Sequence, residues 1–286
     1  MNRLTEDQKR AFRRDGCLLI EGALDRGLVE QLAEVMDAFV ERSRSMTESS
    51  ADILLAPDHT AAAPKLRRIP QTVAFHPVFE AFGLRGPIVD LAEDLLGPDV
   101  RFHHSKLNFK SPLGGEEIKW HQDIQFWPHS NYAPLTIGVY LTDVDADMAP
   151  MGVVAGSHEG PIFELRDAKG DWTGAISDED LRRVDFGRLK WLTGPRGSIT
   201  VHSCRSVHGS AANNSSRMRP LLLHTYAPCD ALPLTNIMDG VRLSNVIVRG
   251  QAASFARFGE QPCPMPPDWS AGRYSSIFSS QRELSQ

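Results

Sequence analysis

One feature constrains the fold more than any other: the apolar period changes near residue 100. Before it, apolar residues recur at helical spacing. After it come six short runs: "VRFHHSKLNFK", "PLTIGVYLTDV", "GVVAGSH", "GSITVHSC", "SVHGSAA" and "RPLLLHTYAP". They are separated by Gly, Pro, Asn and Asp, and such runs read as strands. Short strands joined by longer insertions imply an antiparallel sandwich or barrel, so the expected class is mainly β with flanking helices.

The helical half is legible in detail. Thr5 and Gln8 form a capping-box pattern, and Gly16 is placed to end that helix. "CLLIEG" reads as a strand. Leu28, Leu32, Val35, Met36, Phe39 and Val40 then make one helical stripe. Residues 43–64 lose periodicity and read as a long mobile loop. A helix over 87–96 is bracketed by Pro87 and Gly97. Residues 159–190 read as a polar, charged insertion. No repeat or low-complexity tract appears, so residues 1–286 are expected to form one domain. It comprises a helical part (about 1–98), a strand-rich core (about 99–228) and a Pro-rich, loop-like tail (about 229–286).

Composition narrows the function classes. With 41% hydrophobic and 23% charged residues, the chain can bury a substantial core. A net charge of -5 and a pI near 6.1 argue against a nucleic-acid partner. No apolar run is long enough to span a membrane, and the charged start shows no signal-peptide core. Cys17, Cys204, Cys229 and Cys263 are scattered, which argues against a zinc ribbon or disulfide framework. The expectation is a cytoplasmic enzyme, a monomer or small homo-oligomer, acting on a small molecule.

The chemistry concentrates in "KWHQDIQFWPH" at 119–129. On a strand, residues two apart share a face, so His121 and Asp123 point together and Gln122 points away. An HxD pair alone is weak evidence, since strand histidines are more often structural. His208, 85 residues beyond Asp123, supplies a candidate third ligand. Two histidines and a carboxylate on one face of an octahedron are the facial triad of non-haem Fe(II) oxygenases. The three open positions suit a bidentate keto acid and O2. Arg219, eleven residues after His208, can hold the distal carboxylate of 2-oxoglutarate through paired hydrogen bonds. Ser210, on the same strand face as His208, can donate to that carboxylate.

Over residues 4–226 the chain resembles the phytanoyl-CoA dioxygenase family of Fe(II)- and 2-oxoglutarate-dependent oxygenases. The resemblance rests on "LTEDQKRAFRRDGCLLIEGAL", "WHQD", "VVAGSH" and "HGSAANNSSRMRPLLLHTY". It implies a double-stranded β-helix, the cupin-like jelly roll. It makes His121, Asp123 and His208 the catalytic iron ligands and assigns Arg219 and Ser210 to 2-oxoglutarate. Asn108 matches a position that contacts this co-substrate in relatives, and Thr136 is a weaker candidate for that role. The implied cofactors are Fe(II), 2-oxoglutarate and O2, and the implied reaction is oxidation of an aliphatic C–H bond. An intact Asp123 favours hydroxylation, desaturation, epimerisation or cyclisation over halogenation.

Other residues carry two readings. Phe126 and Trp127 either wall the substrate pocket or fill the core. By alternation His104, Lys106 and Asn108 share one face of a strand and His103 takes the other. His104 and Lys106 are substrate-binding candidates, with solvated polar residues as the alternative. His129 reads as a supporting or surface histidine rather than a ligand, and His158 as structural. His202 and His224 read as hydrogen-bonded core histidines, and Met148 and Met151 as core. "KLRR" at 65–68 reads as a solvated face, not a CoA-phosphate patch. Loop 43–64, insertion 159–190 and the tail are expected to act as lids. The competing functions are a cupin-like metal-dependent dioxygenase or isomerase that uses no 2-oxoglutarate, and a non-catalytic binding protein.

Overall fold

The computed structural model describes residues 3–235, 243–259, 277 and 281. Helix α1 (Glu6–Asp15) starts at a reciprocal Thr5–Gln8 capping box and ends at left-handed Gly16. Strand β1 (Cys17–Ile20) and helix α2 (Arg26–Ser43) follow, α2 being capped by the Asp25 side chain. The buried stripe of α2 runs through Val29, Leu32, Val35, Met36 and Phe39, with Leu28 and Val40 at its half-buried margins.

The expected loop over 43–64 is partly ordered sheet. Strand β2 (Leu54–Leu55) pairs with β3 (Leu66–Pro70), and Ile53 beside it is fully buried. The polar composition hides this because only Ile53, Leu54 and Leu55 carry the apolar signal. Helices α3 (Thr72–Phe75), α4 (Pro77–Arg85) and α5 (Pro87–Leu96) come next. α4 and α5 each begin on a proline, whose missing N–H costs nothing in a first turn. Gly97 terminates α5 as expected.

The strand-rich part contains β4 (Val100–Lys110), β5 (Ile118–His121), β6 (Leu135–Tyr140) and β7 (Met151–Val154). A single helical turn, α6 (Asp178–Leu181), precedes β8 (Leu189–Leu192), β9 (Ile199–Ser203), β10 (His208–Ser210), β11 (Arg219–Pro228) and β12 (Ile247–Arg249). One antiparallel sheet has the order β1-β9-β6-β11-β4-β3-β2, with β12 also on β4. The other has the order β5-β10-β7-β8. The protein is therefore mainly β, an antiparallel jelly roll with helices on one side.

Alternation divides the large sheet into two faces. Leu107 on β4, Ile137 and Val139 on β6, Ile199 and Val201 on β9, and Leu222 on β11 are buried against the helices with Leu32, Phe79, Ile88 and Leu91. Each such side chain contributes about 1.5–3 kcal/mol relative to exposure. The opposite face carries His104, Lys106, Asn108, Lys110, Thr136, His202 and Arg219, all lining one cavity. The apolar face orients the sheet, and a period of two then delivers the polar set to the interior.

Two sequence expectations change here. His224 is fully buried on the helix-facing side, but neither ring nitrogen has a hydrogen-bond partner among the described residues. It is held by packing, edge-on to Phe82 at 5.4 Å, and burial lowers its pKa to about 3. The insertion over 159–190 is not simply polar: Phe163, Leu165 and Ile176 are buried with Phe126 and Trp127.

Candidate active site

His121 closes β5, and His208 opens β10 directly opposite it in the antiparallel register. Asp123 does not continue the strand; it starts a turn of 3-10 helix (Asp123–Gln125). The convergence of His121 and Asp123 therefore comes from this turn rather than from strand alternation. Gln122 does point away. Its amide donates to the carbonyls of Pro161 (3.1 Å) and Arg205 (2.7 Å) and accepts from Phe163 N–H (2.9 Å). This fully buried side chain ties the HxD turn to the insertion and to the loop before His208.

The candidate ligand atoms of His121, Asp123 and His208 lie within 4.8 Å of one another. Asp123 Oδ1 is 3.7 Å from His121 Nε2 and 3.8 Å from His208 Nε2. His121 Nδ1 faces the Lys119 carbonyl at 2.8 Å, and His208 Nδ1 faces the Ser206 carbonyl at 2.9 Å. A carbonyl can only accept, so each Nδ1 carries the proton and each Nε2 keeps its lone pair for a metal. The remaining carboxylate oxygen, Asp123 Oδ2, is 3.3 Å from His202 Nε2. His202 is buried as expected of a core histidine, but it faces the cavity and braces the carboxylate.

The electrostatics suit a cation. Burial raises the Asp123 pKa, but His208 and the hydrogen bonds of His121 and His202 outweigh it, leaving the carboxyl well below its ordinary value. Burial, reinforced by His121 and His202, holds the His208 pKa well below the imidazole range. A deprotonated carboxylate beside a neutral imidazole is the protonation state a metal requires.

The cavity beside the triad has a volume of about 250 Å³. Every candidate from the sequence lines it: Arg219, Ser210, Asn108, Thr136, Phe126, Trp127, His104 and Lys106. Their placement is graded along β4 and β11. Lys110 pairs with Arg219, Asn108 with Leu221, Lys106 with Leu223 and His104 with Thr225. Thr136 pairs with Thr225, and their hydroxyls are 2.9 Å apart. Six residues of β11 separate Thr225 from Arg219, about 20 Å of strand. Thr136 thus lies at the far end from Arg219. Ser210 reaches the cavity although β10 shifts register between His208 and Ser210.

At the Arg219 end, the guanidinium Nη2 donates to the Ala149 carbonyl at 3.0 Å, and buried Nε has no partner among the described residues. Ala149 holds a left-handed backbone (φ 55°), a strained conformation for a residue with a Cβ. Burial lowers the Arg219 pKa to about 10, so it stays charged at neutral pH. Lys110 Nζ donates to the carbonyls of Ser210 (3.1 Å) and Ala211. Burial, assisted by Arg219, lowers its pKa to about 6. A buried guanidinium with an unused donor next to a depressed lysine fits a carboxylate-bearing ligand.

Sequence reasoning missed Lys110, Arg68 and the bracing role of His202. "KLRR" is not a solvated face. Leu66 and Arg68 are buried, and Arg67 and Lys65 pair with Glu116 and Asp58. Arg68 lines the cavity, and its Nε donates to Asn108 Oδ1 at 2.8 Å. The usable signal was the alternation of Leu66, Arg68 and Pro70 on a strand.

Phe126 and Trp127 satisfy both readings: they wall the cavity and belong to a buried apolar cluster with Phe163 and Ile176. His129 is buried, not at the surface. It bonds the Trp127 carbonyl and packs on His103 at 4.9 Å, outside the cavity lining. His103 and His104 join through their Nδ1 atoms at 2.7 Å. His158 bridges to the Arg13 carbonyl, tying the 3-10 turn after β7 to α1. Met151 reaches the cavity, whereas Met148 stays in the core. Loop 43–64 and insertion 159–190 line none of the cavity, so neither is a direct lid among the described residues. Of the tail, Ile277 lines it.

Fold and site together define a jelly-roll metalloenzyme with an open two-histidine, one-carboxylate centre. The chain belongs to the phytanoyl-CoA dioxygenase family, whose sequence profile matches residues 12–221. It is a dioxygenase of that family. It is 36% identical over 227 residues to a probable alpha-ketoglutarate-dependent hypophosphite dioxygenase of Stutzerimonas stutzeri, covering 77% of each chain. It is 26% identical over 247 residues to ectoine dioxygenase of Bordetella bronchiseptica, covering 78% of this chain and 75% of the other. The fold is similar to that of EctD from S. alaskensis with 2-oxoglutarate and 5-hydroxyectoine. That likeness has a TM-score of 0.71 at 22% identity and covers 87% of this chain and 88% of the other.

Proposed function

We propose that this protein hydroxylates an aliphatic C–H bond of a small-molecule metabolite, using Fe(II), 2-oxoglutarate and O2. One observation carries the reading. Three ligand atoms converge at one cavity whose far end holds a buried arginine with an unused Nε donor. A cupin-like enzyme without a keto acid has no need of that arginine. The chain's alignment with an alpha-ketoglutarate-dependent relative adds support.

Bound iron with 2-oxoglutarate supplies the oxidising power: O2 places one atom in the substrate C–OH and one in succinate, with loss of CO2. The protein's own contribution is positional. His121 and His208 present Nε2, with their Nδ1–H groups held by the Lys119 and Ser206 carbonyls. Asp123 presents Oδ1, while His202 occupies Oδ2 and limits the rotation of the carboxylate. Arg219 and Ser210 hold the distal carboxylate of the co-substrate. Asn108, oriented by Arg68, contacts its other end. Phe126 and Trp127 exclude water from the reacting C–H bond. Thr136, His104 and Lys106 belong to the substrate's end of the cavity.

The same reading takes residues 1–286 as one catalytic domain acting in the cytoplasm, as a monomer or small homo-oligomer. Cys17, Cys204 and Cys229 are buried and unbridged, which fits a reducing compartment. No helix among the described residues is long and apolar enough to cross a membrane. The test is succinate formation from 2-oxoglutarate under O2 by the iron-loaded protein. Wild type should form succinate and His208→Ala should not; equal succinate from both would overturn the reading.

A further inference from the structure

The cavity has a second cationic pole that the triad and the co-substrate anchor do not use. Its basic lining is Arg68, Lys106, Lys110 and Arg219, against the single carboxylate of Asp123. Asp123 is committed to the metal, and Arg219 with Lys110 forms the pole that suits the distal carboxylate of 2-oxoglutarate. Lys106 remains. It sits four residues along β4 from Lys110, about 13 Å of strand, on the same face. It shares this face of β4 with His104 and Asn108, and all three line the cavity with the triad. It makes no hydrogen bond or ion pair within 4 Å among the described residues, in contrast to Lys110. Trp127 and His104, 5.8 Å apart between ring centroids, wall the cavity near this end.

The half-buried ammonium has no acceptor among the described residues, so an anion entering the cavity would gain a charge-assisted hydrogen bond from it. In the reading above the distal carboxylate of the co-substrate is committed to Arg219, whose register partner Lys110 is about 13 Å of strand from Lys106. The space also matters. About 250 Å³ must hold both molecules, below the roughly 300–1,000 Å³ usual for one drug-sized ligand.

We propose that the substrate is a small oxyanion-bearing molecule, a short carboxylate or a phosphorus oxyanion, and that Lys106 is the side chain that holds its anionic group. This rests on the dioxygenase reading above and names its substrate class. Arg68 lies near enough to add its field while its Nε orients Asn108. An anion anchored at Lys106 shares the cavity with the triad, so the oxidised C–H bond is one close to the anionic group.

The test is calorimetric binding to the anaerobic Fe(II)- and 2-oxoglutarate-loaded protein, with the Arg219 pole already filled. The probes are methylphosphonate, acetate and neutral acetamide. Wild type should bind at least one oxyanion and not acetamide, and the tighter of the two identifies the oxyanion class. Lys106→Met should weaken that binding on the order of ten- to a hundredfold, as expected for loss of a charged hydrogen bond. Lys106→Arg should retain most of it, which separates anchoring from misfolding. Equal oxyanion affinity in wild type and Lys106→Met overturns the proposal. So does failure of wild type to bind either oxyanion while 2-oxoglutarate binds normally, and that outcome leaves the dioxygenase reading standing. Loss of 2-oxoglutarate affinity in Lys106→Met without oxyanion binding in wild type assigns Lys106 to the co-substrate and also overturns it. Absence of 2-oxoglutarate binding to iron-loaded wild type removes the parent reading, and this one with it.

Discussion

Replacing Arg219 by Gln separates co-substrate binding from metal binding. The guanidinium is buried, spends Nη2 on the Ala149 carbonyl and leaves Nε unpartnered. A carboxylate arriving there gains one or two charge-assisted bonds, each worth about 1.5–3 kcal/mol. Gln can keep the bond to Ala149 but removes the charge and the fork. The loss is roughly 2–4 kcal/mol, or about 30- to 1,000-fold in the 2-oxoglutarate dissociation constant. Arg219→Lys should fall in between, because a point charge restores the Coulomb attraction but not the paired geometry. Iron affinity should be unchanged, since no triad atom bonds Arg219. Thermal stability of the ligand-free protein should hold or rise, because an uncompensated buried charge is removed. The assay is anaerobic titration of 2-oxoglutarate into iron-loaded protein by calorimetry. Affinity within about threefold of wild type, a difference under about 1 kcal/mol, would refute the anchor. So would a parallel loss of iron.

Two further outcomes test neighbouring parts of the site. Burial holds Lys110 near a pKa of about 6, so it is mostly neutral at pH 7 in the free protein. A carboxylate placed beside it raises that pKa, so binding takes up a proton. The 2-oxoglutarate affinity should therefore fall as pH rises above about 6, by at most about tenfold per unit. Lys110→Met should flatten the profile, and a wild-type profile flat from about pH 6 to about pH 8 would contradict the assignment. At Gly209, a Cβ would stand 2.9 Å from the Ile118 carbonyl and 3.1 Å from the Trp120 ring. Gly209→Ala must part β10 from β5, which carry His208 and His121. It should cost about 1–3 kcal/mol in thermal unfolding and weaken iron binding; unchanged iron affinity would show that the strand contact does not set the triad.

The parts legible in sequence were those with short-range signatures. The capping box at Thr5, the proline start of α5 and the apolar stripe of α2 depend on residues within a few turns. The HxD pair was local too, although the reason for its convergence was misread, since Asp123 sits in a 3-10 turn. His208 and Arg219 followed from chemistry: a metal needs a third ligand, and a dicarboxylate needs a cation. What escaped was set by pairing across the sheet. Arg68 enters the cavity because β3 lies beside β4 in a register that puts it opposite Asn108. Lys110 matters because it pairs with Arg219, 109 residues away. His202 braces Asp123 because β9 lies next to β6. Thr136 lines the cavity as a co-substrate candidate should, and the register sets it opposite Thr225, away from Arg219.

The central claim is that His121, Asp123 and His208 hold the iron to which 2-oxoglutarate binds. The most direct measurement is anaerobic titration of Fe(II) and then 2-oxoglutarate, read by the visible charge-transfer absorption, in wild type and Asp123→Ala. Wild type should bind iron stoichiometrically and develop the band when 2-oxoglutarate is added. Asp123→Ala should lose most of its iron affinity and show no band. If Asp123→Ala binds iron and develops the same band at the same concentrations, the metal is held elsewhere and the account is wrong.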